Sequence, residues 1–155
     1  MTYRPRTAEL VSAIALALAF APGCGKDPNP PNSPQLYSNN VLFEIGDTIN
    51  TYYIQHKKAP QGIKDLAEFA DTFATGIGAA RRGEVVVFWG VAPVESGSTS
   101  PEGQEVLAYL KESPESGGGV LTRALQIKSL TAEEFKAAPK AAGKIEDVSK
   151  AAKKK

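Results

Sequence analysis

The chain has 155 residues, 42% of them apolar, with 18 Lys and Arg against 17 Asp and Glu, a size and balance that fit one globular domain with accessory segments rather than two domains. Its single cysteine excludes an intramolecular disulfide, and its single histidine leaves histidine-rich zinc sites short of ligands and makes any Ser-His-Asp triad depend on His56 alone. Residues 26 to 135 hold 9 basic and 14 acidic side chains, whereas 136 to 155 hold 7 lysines against Glu146 and Asp147; with no basic stripe interleaved with aromatics in the central part, nucleic acid is not an expected partner.

The first segment runs from a basic start, with Arg4 and Arg6, into the 12-residue, largely apolar stretch Leu10 to Ala21, and ends in Ala21-Pro22-Gly23-Cys24. Twelve residues fall short of the 18 to 20 or so that cross a hydrocarbon core, so a cleavable leader fits better than a permanent span. This leader resembles that of a bacterial lipoprotein, although Ala21 stands where the lipobox favours Leu. The resemblance implies a signal peptide over 1–23 and acylation of Cys24, which anchors the mature chain to membrane lipid. Gly25, in place of the Asp that marks inner-membrane retention, then favours the outer membrane or the cell surface. Secretion with a free thiol and an uncleaved anchor are the two other readings of the same segment.

Residues 24–35 form a Pro/Asn-rich linker, in which Pro28, Pro30, Pro31 and Pro34 favour an extended chain. From Leu36 to Lys57, the positions Leu42, Ile45, Ile49, Tyr52, Tyr53 and His56 recur at three- and four-residue spacing, predicting an amphipathic helix capped by Ser38 or Asn39. Gly46 inside it marks either a weak point or a close approach. After the Ala59-Pro60-Gln61-Gly62 break, a shorter helix is expected through Ile63, Leu66, Phe69 and Phe73, ending near Gly76.

The period then changes. Glu84 to Trp89 reads as a strand buried on both faces, followed by a flexible hydroxyl-rich loop around Ser98, Thr99 and Ser100, and a second strand over Glu105 to Lys111. After a Gly117-Gly118-Gly119 loop, Val120–Thr122 and Leu125–Lys128 read as a closing hairpin, and Thr131-Ala132-Glu133-Glu134 has capping-box spacing for a short last helix. The Ala/Lys-rich stretch 139–155 lacks large apolar residues and is expected to be disordered. The expected fold is therefore α+β: a long N-terminal helix and a short second helix on a small antiparallel β-meander, with a short C-terminal helix, spanning 36–138.

Asn39 to Tyr53, followed by His56-Lys57-Lys58-Ala59-Pro60 and Ile63-Lys64-Asp65-Leu66, resembles type II secretion pseudopilin-like proteins. Val106 to Tyr109, the glycine cluster and Thr131 to Phe135 resemble the closing unit of prepilin-associated proteins of planctomycetes, except that Arg123-Ala124-Leu125 replaces an Asp-Gly turn. The resemblance implies a pilin-head-like fold. It also implies envelope or secretion-system proteins as partners, here on a lipid tether in place of the usual filament-forming helix.

No catalytic constellation emerges, and neither enzyme activity nor any cofactor or metal is expected. His56 reads as a helix-end side chain, and Asp65, Glu68 and Asp71 as a solvated face. Trp89 and Tyr109, on strands expected to be neighbours, have two readings: packed on each other in the core, or forming the floor of a sugar- or peptide-binding patch, with the loops at 93–103 and 112–119 beside Trp89 completing a ligand- or glycan-binding module. The lysine tail reads either as a solubilising segment or as one that docks to phosphates of lipid headgroups or to anionic cell-wall polymers.

Overall fold

A computed structural model describes residues 33–146. The leader, most of the linker including Cys24, and residues 147–155 lie outside the described residues. The described chain is α+β: helices pack on a five-stranded antiparallel sheet of order β4-β3-β2-β1-β5.

Helix α1 spans Pro34–His56, starting before the expected boundary. Its cap is Ser33, not Ser38 or Asn39: the Ser33 hydroxyl accepts from the Leu36 N–H at 3.1 Å, and Pro34 takes a first-turn position where its missing N–H loses nothing. The helix stops at Lys57, whose N–H completes the last turn on the Tyr53 carbonyl and whose left-handed φ of 54° then turns the chain away from the helix axis. Leu42, Ile45, Ile49 and Tyr52 are buried as the spacing predicts, joined by Val41 and Thr48, whereas Tyr53 is half-buried and His56 exposed. Gly46 marks a close approach, because a Cβ there would sit 3.3 Å from the Leu121 methyls of the sheet.

The expected second helix is two elements. Ile63–Phe69 forms a 3₁₀ helix, and α2 follows over Ala74–Arg82. The predicted stop at Gly76 is a crossing point instead: a Cβ there would lie 2.8 Å from Glu44 Cβ and 3.1 Å from the Val41 carbonyl, so only glycine lets α2 reach α1. The Glu44 carboxylate accepts the Gly76 N–H at 2.8 Å. At the other end of α2, Arg82 meets Glu84 at 2.5 Å and Tyr37 of α1 at 3.0 Å. Hydrogen bonding from Arg82 holds the Glu84 carboxyl below the ordinary carboxylate range.

Strands β1 (Val85–Trp89), β2 (Val106–Leu110), β3 (Gly118–Thr122) and β4 (Ile127–Leu130) form the meander. On β1, Val85, Val87 and Trp89 are buried beneath the helical layer with α1, the 3₁₀ helix and α2, while Val86 and Phe88 are half-buried. The second face carries a smaller core of Val106, Val120 and Phe135, packed with Phe88, Tyr109 and Leu130. A register shift between Val106 and Ala108 re-phases β2, so Leu107, Ala108 and Leu110 all join the main core while Val106 and Tyr109 face the other way.

The glycine loop folds partly into a helical turn, α3 (Ser113–Ser116), and the left-handed φ of 76° at Gly117 supplies the turn before β3. Leu125 does not extend β4; at φ 57° it occupies the left-handed position of the β3–β4 turn, where the expected Asp-Gly is absent. Helix α4 (Ala132–Ala137) opens on the predicted capping box, with both the Thr131 and Glu134 bonds made. Those Thr131 bonds hold the Glu134 carboxyl below its ordinary value.

Residues 139–146 are ordered, against the expectation of a tail that is unstructured from 139. The Pro139 carbonyl accepts the Val106 N–H at 2.8 Å, and Ala141 donates to the Val106 carbonyl at 2.9 Å. Strand β5 (Lys144–Ile145) then pairs with Phe88 and Trp89 at the sheet edge. Pairing of this kind uses backbone groups, so it needs no large side chains. Lys140 donates to the Phe135 and Ala138 carbonyls at the end of α4, with its ammonium 4.4 Å from the Phe135 ring centre; burial pushes its pKa down.

Gly143 is the tightest point of this strap, since a Cβ would stand 2.6 Å from the Phe88 carbonyl carbon and 2.7 Å from the Phe88 and Trp89 oxygens. Backbone atoms cannot step aside, so Gly143→Ala is expected to lift β5 off the edge and destabilise the fold by about 1–3 kcal/mol. Faster tryptic cleavage at Lys144 and a red shift of Trp89 emission would report the release; parent-like values for both would contradict it.

Candidate functional site

Beside Trp89 lies a groove of about 410 Å³ lined by Gln61, Gly62, Lys64, Asp65, Trp89, Lys144, Ile145 and Glu146. It lies where the start of the 3₁₀ helix meets β5. Two carboxylates line it, and each is already engaged by backbone. Asp65 accepts from the Gln61 N–H at 2.7 Å, and Glu146 accepts from the Ile63 N–H at 2.9 Å. Glu146 thereby satisfies the free N–H at the start of the 3₁₀ helix, and Asp65 holds the turn that leads into it. Lys64 and Lys144 are exposed at the rim, so the groove offers two cations and an apolar floor with no pair of free carboxylates.

Trp89 contributes little to that floor, because its residue is only 5% exposed. Tyr109 does not join it. The register Val86↔Tyr109 puts Tyr109 on the face shared by Val86 and Phe88, opposite to Trp89. There it packs on Phe88 at 5.9 Å and on Phe135 at 4.8 Å between ring centres, and burial raises its pKa. The strands are neighbours as expected, yet the two aromatics are on opposite sides of the sheet and make no shared patch.

His56 caps no carbonyl. Its Nε2 lies 3.0 Å from Glu68 Oε1, and its ring stacks 4.3 Å from Tyr52, which ties the end of α1 to the 3₁₀ helix. Of the acidic series, Asp65 and Glu68 are thus both used in local bonds, and Asp71 is exposed. The hydroxyl-rich loop is likewise tied to itself. Ser100 accepts from the Gly103 N–H at 3.1 Å, and the Gln104 amide donates to the Ser98 carbonyl at 3.0 Å. Arg123, in place of the expected turn, donates to the Ala92 carbonyl at 3.1 Å and to Glu105 at 2.9 Å. It fastens the long β1–β2 loop to the β3–β4 turn.

A second groove of about 350 Å³ runs between the end of α1 and that loop, with Tyr53, Ile54, Pro93, Val94 and Leu125 in its wall. It opens beside Ile54, which is itself exposed. The sequence marks the loop at 93–103 as a candidate ligand-binding element, but not the wall supplied by Tyr53, Ile54 and Leu125, which depends on where the loop and the β3–β4 turn settle. Among the described residues no group of three or more His, Cys, Asp or Glu is placed to hold a metal ion, and no helix is long and apolar enough to cross a membrane. No protein-family model, curated protein or solved structure matches the chain.

Proposed function

We propose that this chain is a non-enzymatic, lipid-anchored domain of the bacterial envelope with a structural or protein-interaction role. The observation that carries the proposal is the arrangement at its start: a basic, apolar leader ending at Cys24, then a proline-rich spacer. The spacer precedes a helix whose first turn is fixed by Ser33 and Pro34, with Ser33 nine residues after the cysteine in sequence. Two or three acyl chains on Cys24 satisfy the need for more than one lipid in a stable anchor.

The absence of a leucine before Pro22 makes processing the step to test. Intact-mass analysis of protein recovered from a bacterial envelope is expected to show a species beginning at Cys24 and carrying acyl mass. A mature start elsewhere, or an unmodified Cys24, would remove the anchor. The pseudopilin-like residues add a secretion or pilus-like system as the partner class. Co-purification of such components with the acylated protein, and not with a Cys24→Ala variant, is the result expected of that partnership.

The groove beside Trp89 supports a second reading, a ligand- or glycan-binding surface module. In that reading the rim lysines Lys64 and Lys144 contact an anionic group, and the mostly buried Trp89 supplies a wall rather than a stacking floor. Chemical-shift changes confined to this rim on adding acidic glycan fragments would support it; their absence would end it.

A further inference from the structure

Helix α1 has an unpartnered face opposite the core. Leu36, Phe43 and Ile54 are 47%, 57% and 56% exposed, and steps of seven and eleven residues put them within about 20° of one meridian of an α-helix. Ile45, Ile49 and Tyr52, which are buried, occupy the other side. The stripe extends over five turns, about 27 Å, with Asn40, Asp47 and Asn50 between its apolar members.

The charge at its two ends differs in a useful way. The N-terminal end follows the proline spacer. Beyond Ile54 come the exposed Lys57 and Lys58, and Lys64 is exposed on the adjoining 3₁₀ helix. The bond from Ile63 to Glu146 fixes the exit of the C-terminal segment at this same end of the domain, and Lys150, Lys153, Lys154 and Lys155 follow in the sequence.

We propose that this face of α1 lies on an anionic lipid surface, the bilayer that carries the acylated Cys24; the proposal rests on the anchor reading above. Three separated apolar side chains offer far less than the roughly 800 Å² per partner of a standard protein interface. A bilayer accepts such discontinuous anchors side by side with lysines. Each lysine near an anionic surface adds a factor of about five to partition, and Asp47 subtracts from that sum. The eight residues between Cys24 and Ser33 reach at most about 30 Å, which holds the face close to the membrane at a high effective concentration.

The test uses the mature chain from residue 24 as a Cys24→Ser variant, so that no acyl chain contributes. Co-sedimentation with phosphatidylglycerol/phosphatidylcholine vesicles is expected, with much weaker binding to pure phosphatidylcholine and release by high salt. Phe43→Ser with Ile54→Ser is expected to weaken binding about tenfold while leaving the circular dichroism and melting curve unchanged, since both residues are exposed. Failure to bind the anionic vesicles overturns the proposal. So does parent-like binding by the double variant, which would assign adsorption to the lysines alone. A parent that dimerises without lipid, and a double variant that does not, would assign the face to a second copy and overturn it too. Because the probe carries no lipid, the result is independent of the mass measurement that decides the anchor.

Discussion

Leu107→Ala is expected to destabilise the domain by about 3 kcal/mol, within the 2–5 kcal/mol range of such truncations. Leu107, the second residue of β2, is fully buried in the main core between the sheet and the helical layer. It belongs to that core only because the register shift at Val106/Ala108 turns it toward α1. The surrounding residues come from both the sheet and the helices and cannot all close on the vacated space, so a cavity term adds to the lost transfer free energy. Against a total of about 5–15 kcal/mol for a domain of this size, the loss is large. Urea or thermal unfolding would measure it. Phe43→Ala, on the exposed face of α1, serves as the control and is expected to stay within about 0.5 kcal/mol of the parent. Similar losses for the two variants would contradict the placement of the core.

Gly76→Ala and Gly78→Ala are expected to change stability in opposite directions. Both glycines lie inside α2, and helix propensity alone favours alanine at each by up to about 1 kcal/mol. At Gly76 the new methyl would meet Glu44 Cβ at 2.8 Å and the backbone of Val41 and Ile45 at 3.1 Å. The α1 backbone cannot retreat without disturbing the buried residues on its far side, so a net destabilisation of about 1–3 kcal/mol is expected. Gly78 is different, because its Cβ would meet only the flexible end of Arg82, at 3.1 Å. There the propensity gain survives. Equal shifts for the two variants in a denaturant titration would show that α2 does not cross α1 at Gly76.

These two glycines also explain what the sequence concealed. A helix containing Gly76 and Gly78 looks like a turn when judged by propensity, and the reason for the glycines, a close crossing with Glu44, is a tertiary fact. Strand β5 was hidden for a related reason. Lys144 and Ile145 are held by backbone pairing to Phe88 and Trp89, and Gly143 and Ala141 pack because they are small. By contrast α1, β1, β2 and the capping box of α4 were legible, since burial periodicity and cap chemistry act locally.

The candidate site was less legible than the fold. Trp89 and Tyr109 were correctly assigned to neighbouring strands, but which faces they share depends on register, and Val86↔Tyr109 separates them. The groove next to Trp89 needs Glu146 to reach Ile63 across 83 residues of sequence. The outer stripe of α1, in contrast, was present in the spacing of Leu36, Phe43 and Ile54. Which of the helix's two apolar stripes faces the sheet is set by packing, and spacing alone does not decide it.

The strap at 139–146 has a consequence for the order in which the domain can be completed. Every group it contacts, from Gly62 and Ile63 to Phe88, Trp89 and Val106, is synthesised before it. Until the ribosome releases this stretch, the outer margin of β1 stays uncovered and the 3₁₀ helix lacks the carboxylate that caps it. Such distant closures are slow relative to local ones. A nascent chain of this fold therefore stays unsealed along β1 until its last described strand has emerged.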